Sequence, residues 1–307
     1  MSGIVVLTGG VGGAKLVHGL MNIVDPADVT AIVNTGDDFR HLGLHVSPDI
    51  DTLLYTLSGK ANAEQGWGRE GERWSFMAAL KELGGEDWFN LGDMDLALHV
   101  LRTAALTQGS TLSAITADFA RRWQIEASIL PMSDDPVFTV LDTDEGLLEF
   151  QRYFVERRCS PVVHGVRFEG AATARPALGV LEALADADVI LIAPSNPFLS
   201  VDPILAIPAI RQALAVSRAP VVAVSPLIGG QSIKGPTSKL IGELGLAADN
   251  VMIARHYGDF LNGLLIDSDD HCDMAGIEVA RTNTLMRSID DKVRVACSAL
   301  DLAARLS

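Results

Sequence analysis

Cysteine is almost missing from this chain: Cys159, Cys272 and Cys297 are all that 307 residues hold. They are odd in number and widely spaced, which speaks against a disulfide framework or a cysteine-built zinc site and makes a reducing cytoplasm the expected compartment. No apolar run approaches the ~18 residues that a membrane helix needs. The start of the chain enters a strand pattern at once, with no basic leader and no small-residue cleavage site. Basic residues are also short. Lys and Arg number 24 against 39 Asp and Glu, a net charge of −15, which argues against nucleic acid or an anionic membrane as the main partner. An acidic chain that takes an anionic ligand must hold it locally, with backbone amides, a few cations or a metal. Internal repeats, low-complexity tracts and long linkers are absent too.

What remains is an ordinary globular composition, 48 % hydrophobic and 21 % charged. The length suits one large α/β domain or a core with an inserted second one. Ile4–Leu7 and Val29–Val33 are apolar runs that read as buried strands, and "AKLVHGLMNIV" between them has helical spacing. This strand–glycine loop–helix–strand unit starts a parallel sheet. The pattern returns in "DVILIAPSNP", "PVVAVSPLIGG", "GLLIDSDD" and "IEVARTN". Between the two sets, "SFMAALKELGG", "MDLALHVLRTAALTQG" and "TLSAITADFARRW" read as amphipathic helices, and "VFTVLDTDEGLLEF" as a hairpin. The expected architecture is α/β: a Rossmann-like, mostly parallel sheet with helices on both faces, built from 1–58 plus 186–307, with a mainly helical substrate-binding insert over 59–185.

The loop "TGGVGGAK" is built to meet an anion. Glycine removes the Cβ that keeps a ligand off backbone N–H groups, and a helix amino end adds positive charge. Lys15 stands one turn into that helix, within reach of the same anion. The P-loop pattern fails because Leu16 follows Lys15 where a hydroxyl is required. The dinucleotide fingerprint fails because Lys15 takes the third glycine's place. Two readings stay open, a diphosphate cradle and tight strand–helix packing.

Asp37, Asp38, Asp49 and Asp51 cluster around the carboxyl end of the second strand, where ligands of open parallel sheets sit. Singly, Asp49 also suits a helix cap near Thr52, and Asp37–Asp38 a turn. As a group beside a phosphate loop they call for a divalent cation, and magnesium takes one or two carboxylates plus phosphate oxygens. Asp93 suits the cap of the next helix. Asp95, His99 and Arg102 then share one helix face, either a solvated polar stripe or a wall for a phosphate or polar ligand. Lys234 is a second candidate phosphate cation.

Taken together these motifs resemble the 2-phospho-L-lactate transferase family, the CofD-like or FbiA-like enzymes of deazaflavin coenzyme F(420) biosynthesis. The matching stretches are "TGGVGGAK", "VNTGDD", "SPDIDTLLY", "GWG", "LGDMDLALHVLRT", "LPMSDDPV", "APSNPFLS" followed by "PIL", and "SPLIGG", in collinear order, with "RTNTLM" also similar. The resemblance implies that a guanosine diphosphate-linked phospholactate or phosphoenolpyruvate donates its phospho-acid unit to the ribityl hydroxyl of the deazaflavin FO. GMP leaves, coenzyme F(420)-0 or its dehydro form results, and magnesium (Mg2+) is required. It implies Asp51 near FO and the metal; the phosphoryl-transfer chemistry then asks for Asp51 or Asp49 as the catalytic carboxylate that orients or deprotonates the ribityl hydroxyl, and for Asp37 beside Asp51 at the metal. The resemblance places Asp51 and Asn90 near FO, with Asn90 standing where some members carry lysine, and the helix face of Asp95, His99 and Arg102 is expected to bind FO beside them. Gly10, Gly12, Gly13, Lys15, Ser195, Asn196 and Gly229 would line the nucleotide phosphates. On this reading Asp51→Asn removes most turnover and leaves the fold intact, and the chain is a cytoplasmic homodimer. Two rivals stand beside it: a nicotinamide- or flavin-dependent oxidoreductase, and a non-catalytic nucleotide or nucleotide-sugar regulator of a related family.

Overall fold

The computed structural model describes residues 3–62, 68–232 and 236–306. Seven strands form the main sheet: β1 (Ile4–Thr8), β2 (Val29–Val33), β3 (Ser128–Pro131), β4 (Val189–Ile192), β5 (Val221–Val224), β6 (Gly263–Asp267) and β7 (Glu278–Thr282). Their order is β7-β6-β5-β4-β1-β2-β3, and every neighbouring pair is parallel. β1 sits in the middle, with Ile4 opposite both Val29 and Val189.

A central parallel strand must be covered on both faces, which is why β1, β4 and β5 are continuous apolar runs. Their residues alternate between two cores. Ile4 and Val6 pack with α1 (Gly10–Leu20), α2 (Pro48–Leu57) and the last helix, Ile289–Ala304. Val5 and Leu7 face helices Pro208–Ala215 and Asn250–Tyr257. Each buried Val, Leu or Ile contributes about 1.5–3 kcal/mol, so a one-residue slip of β1 would reverse both faces at once. This is the expected α/β sheet with helices on both faces.

Within 59–185 the three helices appear as α3 (Ser75–Glu82), α4 (Asp95–Thr107) and α5 (Leu112–Arg122). The stretch is not a clean insert. Ser128–Pro131 joins the main sheet, pairing Thr30 with Ser128. Four residues ending in proline carry no readable period, and an edge strand tolerates the missing N–H. The expected hairpin, Phe138–Thr143 with Gly146–Glu149, gains a third antiparallel strand, Val163–Glu169.

From β1 the chain builds outward through β2 to β3, then crosses back to place β4 on the other side of β1. Sheets of this kind bind ligands at such a reversal, outside the carboxyl ends of the strands.

Candidate functional site

At the reversal, the carboxyl ends of β1 and β4 are tied together. The Ser195 hydroxyl donates to the Gly9 carbonyl at 2.6 Å. A Cβ on Gly12 would overlap the Pro194 carbonyl, and one on Gly13 the Thr8 hydroxyl. Close packing therefore demands these two glycines, whatever else the loop holds. Gly10 has φ +65°, the left-handed region glycine favours. Its N–H donates to Asp49 Oδ1 at 2.7 Å, so a carboxylate from α2 already sits at the amino end of α1.

The other expected phosphate contacts have partners of their own. Lys15 Nζ donates to the Met286 carbonyl at 2.7 Å. Asn196 Oδ1 accepts from the N–H groups of Phe198 and Leu199, capping the turn that begins at Pro197. Gly229 and Gly230, at φ +60° and +72°, turn a short hairpin between Leu227–Ile228 and Gln231–Ser232. The Gly229 N–H donates to Asp270 Oδ1 at 2.9 Å. Lys234 lies outside the described residues, as do the first two residues of "GWG".

The four acids split into two arrangements. Asp37 and Asp49 are buried at 5 % and 6 % exposure. Neither forms an ion pair among the described residues. Asn34 bridges the region: its Nδ2 donates to Asp49 Oδ2 at 2.9 Å, and its Oδ1 accepts from the Gly36 N–H at 2.8 Å. Burial, followed by the Asp49 charge, raises the Asp37 carboxyl well above the ordinary range. Burial raises Asp49 to about 6, against the pull of its bonds from Asn34 and Gly10. Asp37 Oδ1 is buried without a hydrogen-bond partner. Asp38, next to it, accepts from the Ser47 hydroxyl at 2.6 Å and lies 3.1 Å from His45 Nε2.

Asp51 is different. The Arg102 guanidinium grips both of its oxygens. His99 fills the space between two acids, with Nδ1 3.7 Å from Asp51 and Nε2 3.3 Å from Asp95. The Tyr55 phenol donates to Asp95, and burial raises its pKa, which keeps that proton in place at neutral pH. His99 and Arg102 are each 1 % exposed. The face of α4 that bears them is thus a buried charge network against α2, and the solvated-stripe alternative does not hold.

Two capping expectations change. Asp93 does not cap α4; its carboxylate accepts from the Ser75 and Phe76 N–H groups and caps α3. Asp49 does not cap a helix near Thr52, because α2 already starts at Pro48, a residue preorganised for a first turn. Asn90 is exposed in the loop before α4. Sequence reasoning missed Asn34 and Tyr55 as individual contributors. Asn34 follows β2 directly at the carboxyl edge, and Tyr55 lies four residues after Asp51 on the same face of α2, so position alone marked both.

Among the described residues no three His, Cys, Asp or Glu side chains gather as a metal cage. What the site offers is a pair of desolvated carboxylates with no counter-cation, beside a helix amino end. Such a pair can take a proton from a hydroxyl, or hold a divalent ion whose remaining ligands are phosphate oxygens and water.

A family model described as 2-phospho-L-lactate transferase CofD matches residues 4–296. A phosphoenolpyruvate transferase of Kitasatospora aureofaciens is 44 % identical over 315 residues, covering 99 % of this chain and 98 % of that protein. The phosphoenolpyruvate transferase of Streptomyces coelicolor is 42 % identical over 311 residues, covering 98 % of each. Among solved structures, a upf0052 family member from Bacillus halodurans aligns with a TM-score of 0.66 at 18 % identity, over 98 % of this chain and 100 % of that one. That last likeness concerns the fold alone.

Proposed function

The chain belongs to the 2-phospho-L-lactate transferase CofD family, and from that premise we propose that it transfers a phosphoenolpyruvyl or phospholactyl unit from a guanosine diphosphate-linked donor to the ribityl hydroxyl of the deazaflavin FO, releasing GMP. The names of the relatives favour the phosphoenolpyruvyl unit and the dehydro product. The observation that carries the reading is the Asp37–Asp49 pair, buried without a cation beside the amino end of α1.

The family implies magnesium, and these residues suit it. Asp37 Oδ1 lacks a partner, and burial followed by the Asp49 charge disfavours ionising Asp37 until a cation joins it. Asp37, whose Oδ1 is unpartnered, would hold the ion together with phosphate oxygens and water; Asp51, with both oxygens on Arg102, would not. Bound there, magnesium would offset the charge of the diphosphate and of the departing GMP.

The rest is done by the chain itself. The amino end of α1 favours the donor's negative charge. Asp49, with its pKa raised to about 6, takes the proton of the attacking hydroxyl, a role worth about 10²–10⁴ in rate. Arg102 holds both Asp51 oxygens, which fixes α2 against α4 and with it the position of Asp49 two residues away.

The test is direct. Protein, magnesium and FO are incubated with guanylated phosphoenolpyruvate or guanylated phospholactate, and the products are weighed by mass spectrometry. A dehydro coenzyme F(420)-0 mass that vanishes with EDTA and returns with magnesium is the expected result. No product from either donor would overturn the proposal.

A further inference from the structure

The turn that carries Asp37 is held from behind by the chain between β3 and β4. Its own backbone closes it, with the Asp38 N–H on the Thr35 carbonyl at 3.2 Å. The carbonyls of its two central residues are both taken from outside. Thr139, in the strand Phe138–Thr143, donates its N–H to the Gly36 carbonyl at 2.7 Å. Gln151 donates from Nε2 to the Asp37 carbonyl at 3.5 Å. Gly36 lets the two segments approach, because a Cβ there would stand 2.6 Å from Thr139 Oγ1 and 2.9 Å from Pro203 Cβ. The Thr139 hydroxyl thus lies directly over the turn.

That hydroxyl has no task elsewhere. Thr139 is 1 % exposed, and its Oγ1 is buried without a hydrogen-bond partner, as is Asp37 Oδ1. A hydroxyl can donate, whereas an ionised carboxylate oxygen only accepts. Leaving either one desolvated and unpaired costs about 1–3 kcal/mol. Burial, followed by the Asp49 charge, raises the Asp37 carboxyl most, while the Asn34 amide and the Thr139 hydroxyl draw it back down. The hydroxyl therefore faces the carboxylate. Its own place is fixed by the three-stranded sheet, where Thr139 stands opposite Phe168, and a β-branched side chain has few χ1 states to choose from. A cation held through one carboxylate depends on how that carboxylate is aimed, and groups that bond to a metal ligand supply the aim.

We propose that Thr139 is a positioning residue for the divalent ion, its hydroxyl donating to the Asp37 carboxylate and fixing the plane in which the remaining lone pairs meet the ion. This rests on the magnesium reading given above. It adds what the three-stranded sheet contributes: a rigid back support for a ligand that β2 delivers.

The experiment follows Mn2+ in place of magnesium, with GDP present, through the loss of its free-ion EPR signal. It compares the parent with Asp37→Asn, Thr139→Val and Thr139→Ser. Valine keeps the branched shape and the N–H on Gly36 and deletes the hydroxyl; serine restores it. Asp37→Asn is expected to abolish tight Mn2+ binding. Thr139→Val is expected to weaken it 10- to 100-fold, the usual cost of losing a group that orients a metal ligand. The magnesium needed for half-maximal turnover should rise by the same factor, with kcat at saturating magnesium within threefold of the parent. Thr139→Ser should stay within threefold on both measures. Mn2+ binding by Thr139→Val within threefold of the parent overturns the assignment. So does an equal loss in the valine and serine variants, which would leave Thr139 only its backbone bond, and so does a fall in kcat that saturating magnesium fails to repair. Should Thr139→Val not fold, Thr139→Ala takes its place under the same criteria. A parent that binds no Mn2+, or an Asp37→Asn variant that binds it like the parent, defeats the metal reading itself, and this assignment with it. Mn2+ binding that needs Asp37 but ignores Thr139→Val defeats the assignment only.

Discussion

Asp49 and Asp51 stand two residues apart in the first turn of α2, and they are held in opposite ways. Two positions along a helix are about 200° apart around its axis, so the two carboxylates leave on different faces. Asp49 reaches the N–H of Gly10 and the Asn34 amide, and meets no cation among the described residues. Asp51 meets α4, where Arg102 takes both its oxygens. The same side chain is a neutralised strut on one face and an uncompensated charge on the other. Stability and chemistry are thereby separated within one helical turn: removing the strut should unfold, and removing the bare charge should disable.

The largest expected effect tests the strut. Arg102→Met leaves Asp51 buried without its cation and should cost about 3–5 kcal/mol, as loss of one partner of a buried pair does. Urea unfolding measures it. Adding Asp51→Asn to that variant should return part of the loss, and a single variant that loses less than about 1 kcal/mol would show that the pair is not desolvated. By the same argument Asp51→Asn alone should destabilise the chain, because it strands the Arg102 guanidinium. The expectation that this variant leaves the fold intact is therefore revised.

Asp49→Asn tests the bare charge. It keeps an acceptor for the Gly10 N–H and removes a buried charge that its surroundings disfavour. Loss of the disfavoured charge offsets the NH2 that asparagine sets against Asn34 Nδ2, so stability should stay within about 1 kcal/mol of the parent's, while turnover of the guanylated donor falls at least 100-fold, about 2.7 kcal/mol of barrier. An unfolding midpoint that drops together with activity would erase the distinction between the two acids. The smallest effect is expected from Tyr55→Phe, which removes the phenol that donates to Asp95. A hydrogen bond to a charged group is worth about 1.5–3 kcal/mol, so thermal unfolding should shift down while KM for the donor stays put. A changed KM with unchanged stability would move Tyr55 from the network into the substrate site.

Much of this was readable beforehand. The strand–glycine–helix opening and the apolar runs near residues 190, 222 and 265 marked the sheet, because a strand covered on both faces must be apolar throughout. Ser128–Pro131 was not legible, since four residues show no period and its strand character comes from pairing with β2. The acids were legible as a group at the carboxyl edge. Their division was not, because nothing in "SPDIDTLLY" says that Arg102, 51 residues on, will claim Asp51 and leave Asp49 unpaired. Asp93 shows the same limit: its place before α4 suggested one cap, and the fold brought it to another.

Local pattern therefore determined the sheet, its helices and the edge where the polar residues collect, because periodicity and glycine act through neighbours a few positions away. Which carboxylate is neutralised, which glycine is demanded by packing and which oxygen is left without a donor were decided only by the folded chain. Those outcomes depend on desolvation and on partners distant in sequence, and burial sets the energy of every charge among them.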